Sequence, residues 1–362
     1  MNLLSYRSAC ALGFVALSVR AFGTAFIDSP ELANAGWAGV LLAGTMYIPV
    51  LLSIYLIIHL DKEASPKELM TLCIGKRGMK AVALILSAGM LCESAAVSRL
   101  LMASILYGAQ EIHITTVATL PSLIAAAIVA CAGAGAIGGV AGIWIYFIPL
   151  LLAIIVGRHI PVYQANYLFP IWGSGFNAIF FGSTKILSAF TAFSALWMIQ
   201  SGKQTAASQK VTYASPKVFL ILFGVIVLVT AILSALASML VPQSLSVPQS
   251  REYRLSMLLS NGLSPTFLQF PYVLLWYGSL MIAQGFALFS AAQLLTMAFP
   301  KLRFNLTVWG CALSAAILAA MHMADQNVAA RIAPYISVMN SAPFIIAAIA
   351  VRFRKGGKHA RF

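Results

Sequence analysis

Four charged side chains fall inside long apolar runs of this sequence: Arg20, Glu93, Arg99 and Lys185. At the centre of a bilayer an Arg, Lys or Asp costs at least about 2.5–3.5 kcal/mol, so such a residue faces a bundle interior or a water-filled cavity. The chemistry open to it there is to pair, to hold a charged guest, or to carry a proton. Glu93 and Arg99 are six residues apart, about 240° around a helix of 3.6 residues per turn, and so point to different faces. The expected partner of Glu93 is therefore Arg20, across the first and third apolar runs. Arg99 and Lys185 have a second option, which is to run their long stems along the helix and place the charge at the membrane surface.

The other constellations carry less. Gly133, Gly135 and Gly138 satisfy GxGxxG, but no strand precedes them and no acidic residue follows at the spacing a dinucleotide site needs. Gly135 with Gly139, and Gly138 with Gly142, also form GxxxG, which predicts close helix packing or a tight turn. Cys10, Cys73, Cys92, Cys131 and Cys311 contain no CxxC pair and read as packing residues. His59, His113, His159, His322 and His359 are scattered near the ends of apolar runs. There is no HExxH, no GxSxG, no phosphate-binding loop and no paired-carboxylate site. An enzyme gathers acid, base or metal ligands in one place, so neither catalysis nor a cofactor or metal is expected.

The elements that position these residues follow from composition. Of 362 residues, 61% are hydrophobic and 9% charged, against roughly 25% charged in a soluble domain. A hydrocarbon core about 30 Å thick takes about 20 apolar residues per helix. Such runs lie near 8–29, 36–60, 80–108, 119–137, 139–157, 176–200, 217–241, 268–298, 304–324 and 331–352. The fold class is an all-α integral membrane protein of about ten transmembrane helices, and 1–362 is one membrane domain with a basic tail at 353–362. Arg7 precedes the first run, which continues past Arg20 to Phe26 and reads as an uncleaved helix, not a signal peptide. With the N-terminus cytoplasmic, sixteen Lys and Arg fall in inner loops and tails and four in outer ones. That bias places both termini of an inner-membrane protein in the cytoplasm. It also explains the net charge of +14 without a nucleic-acid partner. Residues 158–175, rich in aromatics, Pro and Gly, read as an interfacial segment, and 242–267 as the longest polar loop.

Two polar interruptions recur at matching places in the two five-helix halves, about 8–157 and 158–352. The first holds Arg20, Gly23 and Thr24; the sixth helix holds Ser188, Thr191 and Ser194. Transporters built from inverted repeats unwind their first and sixth helices near the midplane and bind substrate with the freed backbone groups. On that pattern, N–H groups near Gly23 and Thr24 take a carboxylate at a half-helix N-terminus. Ser188, Thr191 and Ser194 add hydrogen bonds, and Phe22, Phe190 and Phe193 form an apolar wall. Glu93 receives an ammonium or holds Arg20. Trp276 and Tyr277 fall a little inside the boundary of the eighth span, where Tyr277 is expected to line a cavity mouth.

Three stretches carry a family resemblance. Phe22, Gly23 and Thr24 are followed by Gly36 and Trp37; the loop from Pro66 ends in Gly75, Lys76, Arg77 and Gly78; Asn166 to Pro170 precede Gly173, Gly175 and Gly182. With its length and span number, the chain resembles the spore-germination permease family, the B subunits of germinant receptors, within the amino acid–polyamine–organocation superfamily. Two family features are missing: an Arg-x-Glu opening the eighth helix, where 267–272 are aromatic and apolar except for Gln269, and an acidic residue in the sixth helix. These mark a divergent member. The resemblance implies a LeuT-like 5+5 inverted repeat, a place in the cell or spore inner membrane, A-type and C-type receptor subunits as partners, and a small germinant such as an amino acid as ligand. The rival readings are a proton-coupled amino acid secondary transporter working through Glu93, and a structural membrane subunit without a ligand pocket.

Overall fold

A computed structural model describes residues 6–29, 32–61, 64–105, 112–160, 163–169, 171–173, 175–199, 203–204, 211–212, 216–240, 270–324 and 326–359. The long elements are α1 (Tyr6–Gly23), α2 (Gly36–Ile58), α3 (Pro66–Ile105), α4 (Ile112–Cys131), α5 (Ala134–His159), α6 (Phe176–Ile199), α7 (Pro216–Ser238), α8 (Phe270–Ala298), α9 (Phe304–Ala324) and α10 (Gln326–His359). Between α6 and α7 a two-residue antiparallel pair joins Lys203–Gln204 to Val211–Thr212. Among the described residues nine helices are long and apolar enough to cross a membrane, and the apolar part of α4, Leu120–Cys131, is shorter. The chain is thus a multi-span α-helical membrane protein. The predicted loop at 242–267 lies outside the described residues.

Burial sorts the helices. α1, α3, α6 and α8 are mostly buried, whereas α5, α7, α9 and α10 expose much of their length. What the outer helices expose is apolar, for example Ile143, Ile221, Leu306 and Val338. Their solvent is lipid, so an exposed Leu or Ile costs nothing there, and the helical backbone satisfies its own polar groups. The inner helices carry most of the buried polar side chains, including Arg20, Glu93, Ser98, Ser194 and Gln284.

Three local features differ from the sequence expectations. The stretch after Pro66 is helical, not a loop. Ser65 and Glu68 form a capping box: the Glu68 N–H donates to Ser65 Oγ at 3.2 Å and the Ser65 N–H to Glu68 Oε2 at 2.8 Å. Pro66 fills the first helical position, where no N–H is needed. α3 then kinks at Gly75, whose φ of 78° suits glycine. The α4–α5 turn sits at Gly133 (φ 91°), which explains one glycine of the GxGxxG string. Gly139 and Gly142 face open space, so the predicted close packing does not use them.

The third difference concerns the interruptions. α6 runs unbroken through Ser188, Thr191 and Ser194. Its hydroxyls bond back to its own carbonyls, Ser188 to Lys185 at 2.6 Å and Thr191 to Ser188 at 2.6 Å. Hydroxyls satisfied within one helix put no demand on the backbone to open. α1 is not unwound at Gly23 either; it passes into a single π-helical turn, Thr24–Asp28, with Gly23 still helical at φ −59°, ψ −40°.

Candidate functional site: a buried ion pair and an apolar cavity

Arg20 and Glu93 meet. Arg20 Nε donates to Glu93 Oε2 at 2.9 Å, and the side chains are 8% and 7% exposed. Arg20 Nη1 also donates to the Thr24 hydroxyl. That hydroxyl in turn donates to the Arg20 carbonyl at 2.9 Å. An α-helix gives this carbonyl the N–H of residue 24; a side chain bonding there competes with the backbone ladder. A widened turn starting at Thr24 is the local consequence, and π-turns of this kind gather at functional sites. Ion pair, hydroxyl and widened turn form one unit that joins the end of α1 to the middle of α3.

A second polar seam runs beside it. Gln284 of α8, fully buried, donates through Nε2 to Ser98 Oγ at 2.6 Å, and Ser98 donates to the Ser94 carbonyl at 2.9 Å. The Gln284 Oε1 and Ser94 Oγ atoms are buried without a hydrogen-bond partner among the described residues. A third seam joins α2, α6 and α10: Tyr47 shares a hydrogen bond with Ser194, and Asn340 Nδ2 donates to Thr191 Oγ1 at 3.2 Å. Asn340 reaches Thr191 over Gly89, where a Cβ would lie 2.2 Å from Nδ2.

The predicted ligand residues fall into separate local arrangements among the described residues. No half-helix N-terminus forms at Gly23 and Thr24, because α1 continues through them. Gly23 instead allows close packing: a Cβ there would meet Leu100 Cδ1 at 2.7 Å and Trp276 at 3.3 Å. Ser188, Thr191 and Ser194 spend their hydroxyls on helix carbonyls or on Tyr47 and Asn340. Phe190 and Phe193 pack edge-on against Phe223, at 5.2 and 5.5 Å, in an aromatic cluster. Tyr277, Arg99 and Lys185 are partly buried. Phe22 alone of the predicted set lines the cavity described next. Asn340, Tyr47 and Ser98 lie outside the predicted set; an Asn or Tyr inside an apolar span is the signal that marks the first two.

A cavity of about 120 Å³ lies between α1, α5, α7 and α8. Its floor is α1, through Phe14, Val15, Ser18, Val19 and Phe22. At 3.6 residues per turn these share one face, and Arg20 sits about half a turn away from it. Leu152 of α5 and Leu233 of α7 form facing walls, and Trp276 of α8 an end wall. The α5 wall is fixed to α8 by Trp144, whose Nε1 donates to Ser279 Oγ at 2.9 Å, over Gly278. Beyond α5, the Gln164 N–H donates to the Met239 carbonyl at 3.1 Å, tying the end of α5 to the end of α7. Tyr163 lies beside that tie, and burial pushes its phenol above the ordinary value, so it stays neutral. None of the described lining side chains is charged.

Among the described residues no three His, Cys, Asp or Glu side chains come together as metal ligands. Set against protein-family models and curated proteins, the chain matches none.

Proposed function

We propose that the chain is a permease-like subunit of the spore-germinant receptor type, which binds a small zwitterion such as an amino acid and passes the bound state to A-type and C-type partners. In this reading it sits in the inner membrane with both termini cytoplasmic, and its helices form two inverted sets of five. The supporting observation is the buried Arg20–Glu93 pair at the π-turn of α1. Removing one member of a buried pair costs about 3–5 kcal/mol, because the other charge is stranded. A zwitterion avoids that cost. Its carboxylate replaces Glu93 at Arg20, and its ammonium replaces Arg20 at Glu93, so both charges stay matched while α1 and α3 come apart. Ligand and pair then compete, and binding shifts a clasped bundle toward a released one.

The test is a thermal-shift panel of the twenty amino acids on purified protein. One or more is expected to move the midpoint, since ligand at 100 times Kd adds about 2.7 kcal/mol. Glu93→Gln and Arg20→Gln are each expected to lose the shift. Wild-type protein that responds to no amino acid, or a response that survives both substitutions, defeats the reading. Spores carrying the same substitutions report on signalling.

A second reading, a proton-coupled amino acid transporter, is favoured by Glu93 being a buried acid inside a membrane-spanning helix. Uptake of labelled amino acid into proteoliposomes holding this chain alone, driven by a pH gradient and lost in Glu93→Gln, distinguishes it from a receptor subunit.

A further inference from the structure

The cavity between α1, α5, α7 and α8 is chemically unlike a zwitterion site. It is walled by aliphatic and aromatic carbon, and its polar contributions are two serines, a tryptophan and a neutral phenol. Its place in the bundle says where an occupant comes from. α5 and α7 each pack along α1, but not along each other, so α1 is the floor of a cleft between them. Residues 15–21 of α1 are buried, whereas Phe14 and Phe22 are only half-buried. The cleft is tied shut at one end by the Gln164–Met239 hydrogen bond. One step around each helix from the cleft's lining come exposed residues, Pro149 and Ala153 on α5 and Val225 and Ile232 on α7. Those residues meet lipid, so the cleft is continuous with the bilayer contact.

From this we infer that the cleft holds a segment of a membrane-lipid acyl chain, drawn in sideways between α5 and α7 to rest on α1. An apolar void of about 150 Å³ accepts a benzene-sized guest, so 120 Å³ suits a few methylenes, not a whole tail. A charged or strongly polar guest has nothing here to replace its water. The inference does not depend on the ligand proposed for Arg20 and Glu93.

The experiment places the full chain in phosphatidylcholine nanodiscs whose acyl chains end in a diazirine, followed by photolysis and mapping of adducts by mass spectrometry. Adducts are expected on residues 14–22 of α1, well above those on buried α3 residues such as Leu86. Leu152→Trp and Ala237→Phe each fill the cleft from a different wall, and each is expected to remove the α1 adducts while leaving those on lipid-facing Leu313 of α9. A parallel arm uses a free diazirine-tailed alkanol. Labelling of α1 by the alkanol but not by the phospholipid overturns the assignment to a lipid tail. Absence of α1 adducts in the wild-type protein overturns the site, whether or not the filled variants fold. Adducts that persist in both filled variants overturn it equally.

Discussion

Replacing Arg20 and Glu93 one at a time and then together separates an ion pair that clasps two helices from two charges that happen to lie close. Arg20 Nε and Glu93 Oε2 are 2.9 Å apart, with side chains 8% and 7% exposed. At that burial, solvent screens the interaction little. Glu93→Leu leaves the guanidinium in the bundle without its carboxylate, and Arg20→Met leaves the carboxylate without its cation. Each single change is expected to destabilise by about 3–5 kcal/mol. The double variant carries no stranded charge and replaces the pair with apolar carbon of similar bulk. Such replacements range from neutral to about 1–4 kcal/mol stabilising. The coupling energy is therefore expected to be large, well above the few tenths that independent sites show. The assay is equilibrium unfolding in mixed micelles, read by far-UV circular dichroism for all four proteins. A double variant whose loss equals the sum of the singles refutes the clasp. The proposed function adds a second expectation: the double variant folds well and does not respond to amino acids.

Gly89→Ala places a Cβ where Asn340 now lies, 2.2 Å from its Nδ2. It is expected to destabilise by about 1–3 kcal/mol, as overpacking does, and Asn340→Ala in the same chain should recover most of the loss in micelle unfolding. Gln284→Met keeps the bulk of a fully buried side chain and removes an acceptor, Oε1, that has no donor. Losing the bond to Ser98 Oγ costs about 0.5–1.5 kcal/mol, offset by removing a stranded acceptor worth about 1–3 kcal/mol, so this substitution should be near neutral by the same assay; a loss above about 2 kcal/mol contradicts the bonding described. Ser65→Ala removes the Oγ that accepts the Glu68 N–H, and should cost about 1 kcal/mol, seen as faster hydrogen exchange over 66–74 with little change in α6.

What the sequence made legible was whatever the membrane makes expensive. Arg20 and Glu93 stand out because lipid penalises an unmatched charge, and a partner across the bundle is the cheapest remedy. Span positions follow from apolar length alone, and that reading erred where length was no guide, as at the capped helix beginning at Pro66. The sixth-helix interruption failed for a different reason. Ser188 and Thr191 look the same in sequence whether they turn back on their own helix or wait for a ligand, and only the rotamers decide. The fit of Asn340 over Gly89 joins residues far apart in the chain and appears only after packing. The cavity was hidden because Leu152 and Leu233 read like any lipid-facing leucine.

α1 behaves as a spindle loaded on opposite sides. Its ion pair grips α3 from one side, and its carbon-lined flank rests in the cleft on the other. Any swivel that frees Arg20 must drag Phe14 and Phe22 across whatever fills that cleft. With a lipid tail in the cleft and the pair opening as proposed, the thickness and fluidity of the bilayer set the torque the charged latch has to overcome, so the same chain answers differently in a stiff membrane and in a supple one.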